Sequence, residues 1–310
     1  MEIPVLIVNG FLESGKTQFI KELIEDNGFK EDGKTLILLC EEGEEEYDAE
    51  FCKKNSCSVR VIEDESDFNE KTIKKFIKEI HPATVVVEMN GMWNENEIVY
   101  PKFFAIQQQI SIVDATTFPT YFANIRQKFV DMLKYTDVVI INRAVEDTVG
   151  GYKRSLKMLA PSASFYMYDA AGVDLHPADD LPYDINKEVI EVEDKDFGTW
   201  YIETFDSPAR YNNRVVKIRG YIVKPNDLPP HTVVIARQAM TCCANDIQLI
   251  GHMLSYNDEF PLADGQWIEL TAKIHYIQHP QTGEQRLVLE ALNIVKINET
   301  KEPVLNLVGA

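Results

Sequence analysis

The sequence is poor in several features that would place it in other protein classes. It has only five cysteines among 310 residues. They stand at Cys40, Cys52, Cys57, Cys242 and Cys243, an odd number without the spacing of a disulfide-stapled secreted scaffold, so reduced thiols or metal ligands are expected. No apolar run approaches the roughly 18 residues that a membrane helix needs. The opening MEIPVLIVNG lacks the basic stretch of an export signal, and the expected location is the cytoplasm. Cations are also scarce. With 31 Lys and Arg against 50 Asp and Glu, the formal charge is -19, and such a surface repels the phosphates of nucleic acids and anionic membranes. Any anionic ligand must therefore be gripped by a few local groups. What remains is ordinary globular composition, 45% hydrophobic and 26% charged, on a chain longer than one core usually organises. Two domains are expected.

The first half alternates short apolar runs with helical spacing. IPVLIVN (3–9), TLILLC (35–40), TVVVEM (84–89), ISIVDA (110–115) and DVVIIN (137–142) read as strands buried on both faces of a parallel sheet. Residues 16–26, 69–80 and 117–135 carry helical periodicity between them, which implies βαβ crossovers. From about Trp200 the pattern changes to β-rich runs separated by turn residues, as in VVKIRGYIV, TVVIARQAM, WIELTAKIHYI and RLVLEALNIVKI. The fold class expected is an α/β domain with a mainly parallel sheet over residues 1–195, followed by a small all-β, OB-like barrel over 196–310.

The segment GFLESGKT, Gly10 to Thr17, matches the phosphate-loop pattern G-x-x-x-x-G-K-[ST], after a strand and at the start of a helix. Glycines let the backbone wrap phosphate oxygens, and the free N–H groups of the helix start point at the anion. Lys16 is the candidate for the β- and γ-phosphates, Thr17 for Mg²⁺, and Glu13, Ser14, Gly15 and Gln18 complete the expected nucleotide contacts. Glu88 ends the run TVVV and is the candidate carboxylate beside the metal. Gly91 would bring a backbone N–H to the γ-phosphate. Asp114, at another strand end, reads equally as a turn aspartate.

GFLESGKT, VVVEMNG, IVDATTF and DVVIINR, in this order, resemble the CobW-like P-loop GTPases, relatives of HypB and UreG, over roughly residues 1–170. The resemblance implies Mg²⁺-dependent GTP hydrolysis linked to zinc or cobalt delivery, with a protein client or metal-handling partner. It makes CEEGEEEYD (40–48) the first switch segment, with Glu41, Glu42 and Glu44 near the magnesium, and assigns guanine recognition to Asn142 and Arg143. Two departures stand out. Val145 takes the place of the motif's base-binding aspartate and cannot accept a hydrogen bond, so GTP is the first expectation and ATP the alternative. The family's Cys-x-Cys-Cys motif is absent, leaving Cys40, Cys52 and Cys57 in that region.

MTCCANDI (240–247) and its β-rich flanks resemble the small OB-like domain of the bacterial YcgQ-type proteins, over roughly residues 205–300. Cys242 or Cys243 with Asp246, and His231, His252 or His275 as further candidates, could make a zinc site; redox use of the thiols and buried packing are the competing readings. A slow nucleotide domain regulating metal or partner binding is the alternative to an active GTPase.

Overall fold

The computed structural model describes residues 2–26, 33–176, 181–226, 228–240, 247–257, 261–278 and 285–306. The chain divides into two compact units, Met1–Ala178 and Asp179–Ala310.

The first unit holds a seven-stranded, all-parallel sheet. Its strands are β1 (Ile3–Gly10), β2 (Thr35–Leu39), β3 (Cys57–Val61), β4 (Thr84–Glu88), β5 (Phe104–Asp114), β6 (Val138–Asn142) and β7 (Ser164–Met167), in spatial order β3-β2-β4-β1-β5-β6-β7. Both faces are covered, as the near-continuous apolar runs of β2 and β4 require. On one face Val5, Leu36, Leu38, Val85 and Val87 pack under α3 (Glu70–Ile80) through Ile73 and Ile80. On the other, Val8, Ile37, Val86 and Ile112 pack under α1 (Lys16–Asp26) through Ile20 and Ile24. The alternation follows from the two-residue period of a strand. Helix α2 (Ala49–Lys54) begins at Asp48, whose side chain accepts from Phe51 N.

The helix expected over 117–135 is two helices, α4 (Phe118–Asn124) and α5 (Arg126–Leu133), separated by Ile125 at φ -132° and ψ 38°. The break brings Phe118, Phe122 and Phe129 into one aromatic cluster with ring centroids 4.7 to 5.5 Å apart. Helix α6 (Glu146–Leu159) then leads to β7.

The second unit contains β8 (Val189–Glu191), α7 (Phe197–Asp206), α8 (Pro208–Tyr211) and strands β9 (Val215–Val223), β10 (Thr232–Met240), β11 (Gln248–Ser255), β12 (Trp267–Gln278), β13 (Gln285–Lys296) and β14 (Val304–Asn306). Strands β9, β10, β11, β13 and β12 form a closed ring, because β9 pairs with both β10 and β12 while β11 runs parallel to β13. The ring has no free edge of its own, and β8 and β14 add short parallel strands to it. Inward-facing Ile218, Ile235, Leu254, Leu270, Ile274 and Leu289 pack with Phe197, Trp200 and Tyr211. The unit begins ahead of the boundary expected at 196, because β8 pairs with β9 and Ile190 joins this core. Among the described residues, no helix is long and apolar enough to cross a membrane.

Candidate functional site

Parallel pairing gathers the strand ends at one rim of the sheet. Val8 stands level with Glu88, Leu39 also with Glu88, Gly10 with Ile112, and Asp114 with Asn142. Four motifs far apart in sequence therefore converge at the carboxyl ends of β1, β4, β5 and β6, where open α/β sheets place ligands.

The loop leaving β1 turns through positive φ at Gly10 (152°), Glu13 (60°) and Gly15 (102°). Asn9 Oδ1 accepts from Gly10 N at 2.8 Å, and Asn9 Nδ2 donates to Glu95 at 2.5 Å. Lys16 is buried and donates to Gly10 O at 2.9 Å, Phe11 O at 3.1 Å and the Glu41 carboxylate at 2.7 Å. The cation is thus aimed into the loop, with one carboxylate from the switch-like tract against it. Ser14 Oγ is buried in the same loop and has no hydrogen-bond partner among the described residues, which leaves a polar atom in the cradle ready for an anionic oxygen.

Thr17 Oγ1 donates to Glu88 Oε1 at 2.8 Å, and Tyr47 Oη donates to Glu88 Oε2. Burial pushes the Glu88 carboxyl above its usual range, while the donors Tyr47 and Thr17 and the Lys16 cation pull the other way. Burial also raises the Tyr47 phenol, with Glu88 adding to it, so this hydroxyl is a fixed donor. Gly91 lies against the phosphate loop: a Cβ there would sit 2.8 Å from Gly10 C and 2.9 Å from Phe11 Cα.

Arg143, at φ 53°, donates Nη1 to Glu13 O at 2.7 Å and to Asp114 Oδ2 at 2.5 Å. Asn142 Nδ2 donates to Ser14 O at 3.1 Å, and its Oδ1 accepts from Arg143 N at 2.9 Å. Both motif residues thus brace the phosphate loop from β6. Val145 is exposed at the start of α6, where its side chain provides no cap. Glu146 and Asp147 follow it in the first turn, and both are exposed.

Not every candidate joins the cluster. Gln18 lies on the outer face of α1 and donates to Glu22 at 2.6 Å. Glu42 is exposed on the loop after β2. Glu13 does join, through its carboxylate, which accepts from Glu44 N at 2.8 Å and ties the acidic tract to the phosphate loop. Cys40 is buried with the α3 face, whereas Cys52 and Cys57 pack on the α1 face, so the sheet separates Cys40 from the other two thiols. Burial, then Glu88 and Glu41, raises the Cys40 thiol and keeps it protonated. Cys242, Cys243 and Asp246 lie outside the described residues, and among the described residues no group of three or more His, Cys, Asp or Glu could hold a metal ion. His252 is buried beside Thr204, and His275 faces Glu290.

Tyr47, Asn9 and Glu95 were invisible to motif reasoning. For Tyr47 the one available signal was a lone aromatic inside an otherwise charged tract.

The first unit is thus a P-loop α/β nucleotide-binding domain. The model of the CobW/HypB/UreG nucleotide-binding domain matches residues 4–165, more than half of the chain, and the protein belongs to that family. Residues 171–305 match the DUF1980 C-terminal domain. No curated protein matches the sequence. Among solved structures, the chain is similar to the hydrogenase maturation factor HypB from Archaeoglobus fulgidus, at 18% identity and a TM-score of 0.41, covering 56% of this chain and 84% of that one. A Zn(II)-bound triple mutant of the YjiA GTPase aligns at 16% identity and a TM-score of 0.44, over 72% of this chain and 74% of that one. HypB from Helicobacter pylori in complex with nickel aligns at 16% identity and a TM-score of 0.37, over 55% and 80%.

Proposed function

We propose that the protein is a Mg²⁺-dependent GTPase whose hydrolysis cycle governs its acidic switch tract and, through it, a metal-handling partner. The observation that carries this reading is the meeting of buried Lys16 with the Thr17–Glu88 pair inside a positive-φ phosphate loop. Thr17, Glu88 and Glu41 are hard oxygen donors that fit magnesium, which when bound would neutralise phosphate charge. Lys16 would leave the Gly10 and Phe11 carbonyls for phosphate oxygens, and Glu41 would withdraw from the lysine as the nucleotide entered. Tyr47 would hold Glu88 toward Thr17 throughout.

Arg143 and Asn142 keep the bracing half of the recognition motif, while exposed Val145 supplies no carboxylate for the guanine edge. GTP is our first assignment on family grounds, and competition between GTP and ATP for a fluorescent GTP analogue decides it. We read the second unit as an OB-like barrel from its closed strand order, with Cys242 and Cys243 as its candidate metal ligands; elemental analysis of the double Cys→Ser variant tests this.

The hydrolysis assignment is tested by steady phosphate release. Lys16→Ala and Glu88→Ala are each expected to lower the rate by about 10²-fold or more, the scale on which preorganised electrostatic groups act. Unchanged rates in both variants would sink the assignment.

A further inference from the structure

The chain carries a cationic, partly apolar groove at the end of the first unit's sheet opposite the phosphate loop. Ile3 begins β1 there, while Gly10 ends it at the nucleotide rim, about 23 Å away at the usual rise per strand residue. The groove is open to solvent and spans about 700 Å³ between α3 and the segments entering β1 and β5. Ile3, Ile77 and Phe103 give it an apolar floor, and Lys74, Lys78 and Lys102 stand around that floor. A second hollow of about 660 Å³ continues along α3 past Lys71 and Lys75 and shares Glu70, Lys74 and Lys78 with the first. These volumes match those of pockets that take a ligand or an anchoring side chain, roughly 300 to 1,000 Å³.

The charge here runs against the rest of the molecule. On a chain of net charge -19, α3 presents Lys71, Lys74, Lys75 and Lys78, all exposed, with Lys102 and His81 beside them. Two acidic neighbours are already engaged: Glu70 pairs with Lys74, and Glu79 with Arg60 at 3.6 Å. Glu2 also lines the groove. Among the described residues, Lys71, Lys75, Lys78 and Lys102 form no ion pair with a carboxylate. The helix accepts a cost for this. Lys71/Lys75 and Lys74/Lys78 are like charges at i,i+4, which is unfavourable, and Lys71 lies in the first turn, where the helix dipole opposes a cation. Lys74 also lies 5.5 Å over the Phe103 ring, which ties the cationic rim to the apolar floor.

We propose that this groove is a docking site for an acidic peptide segment of a partner protein, with an apolar side chain seated between Ile77 and Phe103 and carboxylates against Lys74, Lys78 and Lys102. Charge complementarity selects the acidic partner, and the apolar floor selects a peptide, because a nucleic-acid backbone has no aliphatic side chain to place there. Glu2 and Glu70 within the groove further disfavour a dense phosphate chain. The proposal is independent of the nucleotide assignment, since the groove and the phosphate loop lie at opposite strand ends.

The test measures fluorescence anisotropy of a labelled short peptide of repeated Glu-Glu-Leu units with the full chain, at low and physiological salt. Saturable binding that weakens with salt is expected. It should fall about tenfold or more in the charge-reversed double variant Lys78→Glu/Lys102→Glu, because two attractions become repulsions. Lys53→Glu, on exposed α2, should bind like the parent protein. A Glu-Glu-Ser peptide should bind at least several-fold more weakly. Because the exchanged lysines are exposed, both variants should keep the parent circular dichroism. A third variant, Lys74→Glu, gives an independent reading if either fails to fold. Four results would each overturn the proposal: no binding by the parent, equal binding by the charge-reversed variants, equal binding of the Glu-Glu-Ser peptide, or tighter binding of an oligothymidylate of equal charge.

Discussion

Replacing Gly91 with alanine isolates the contact between the segment after β4 and the phosphate loop. The added Cβ would lie 2.8 Å from Gly10 C and 2.9 Å from Phe11 Cα, and closer still to Gly10 O. All three are backbone atoms, so no rotamer change relieves the clash. Carbon atoms rest at about 3.5–4.0 Å, so the two segments must part by roughly 0.6–1 Å. Overpacking of this kind costs about 1–3 kcal/mol, and a displacement near 1 Å at a positioning group costs about 10²-fold in function. We expect Gly91→Ala to lower the urea midpoint of the first unit and to weaken binding of a fluorescent GTP analogue by a larger factor than the stability loss explains. Gly151 is the control. It sits inside α6 with nothing within 4 Å of the position its Cβ would take, so Gly151→Ala should stabilise by about 0.4–1 kcal/mol. If Gly91→Ala unfolds and binds like the parent protein, the claim that this glycine is required by close approach is wrong.

Three further outcomes follow from buried ionisable groups. Burial raises the Glu88 pKa above its ordinary 4.5, so its protonated form stabilises the nucleotide-free fold, and that contribution is lost as pH rises from 4.5 through the raised value. Without nucleotide and Mg²⁺, Glu88→Gln should therefore gain on the parent protein as pH rises toward neutrality in denaturation series; a constant gap refutes this. His252 is buried against Trp200, Tyr201 and Phe205, and burial pulls its pKa down from 6.5 to about 3. The neutral form is the one that folds, so stability present above pH 6.5 is lost on acidification, by about 2 kcal/mol at pH 5. Replacing His252 with Gln should flatten that acid limb in calorimetry. Arg237 has a fully buried side chain, paired with Asp194 at 2.8 Å and stacked 5.1 Å over Trp267. Arg237→Ala opens a cavity and leaves the partly exposed Asp194 with the more distant Arg219 at 3.8 Å, and should destabilise the second unit by about 2–3 kcal/mol in urea unfolding.

The sequence alone determined the phosphate loop, the parallel character of the first sheet and the change to β-rich structure in the second half. These are local properties: GFLESGKT needs only its own glycines and the flanking strand and helix, and TLILL or TVVV report two-sided burial through composition alone. Pairing across the chain was decided by tertiary structure. Nothing in β9 or β10 announces that they meet to close the ring, or that β8 joins it ahead of residue 196. No local pattern shows that Ile125 breaks a helix so that Phe118, Phe122 and Phe129 can cluster. The site divides in the same way. Lys16, Thr17 and Glu88 were legible because strand ends and helix starts aim them, whereas the Glu41 carboxylate on Lys16, the Tyr47 hydroxyl on Glu88 and the Arg143–Asp114 pair depend on loops meeting across 25, 41 and 29 residues of chain. The cysteines show the limit most plainly. Cys40 and Cys52 are near in sequence, but Cys40 follows β2 into the α3 face while α2 carries Cys52 to the α1 face, which puts the sheet between them.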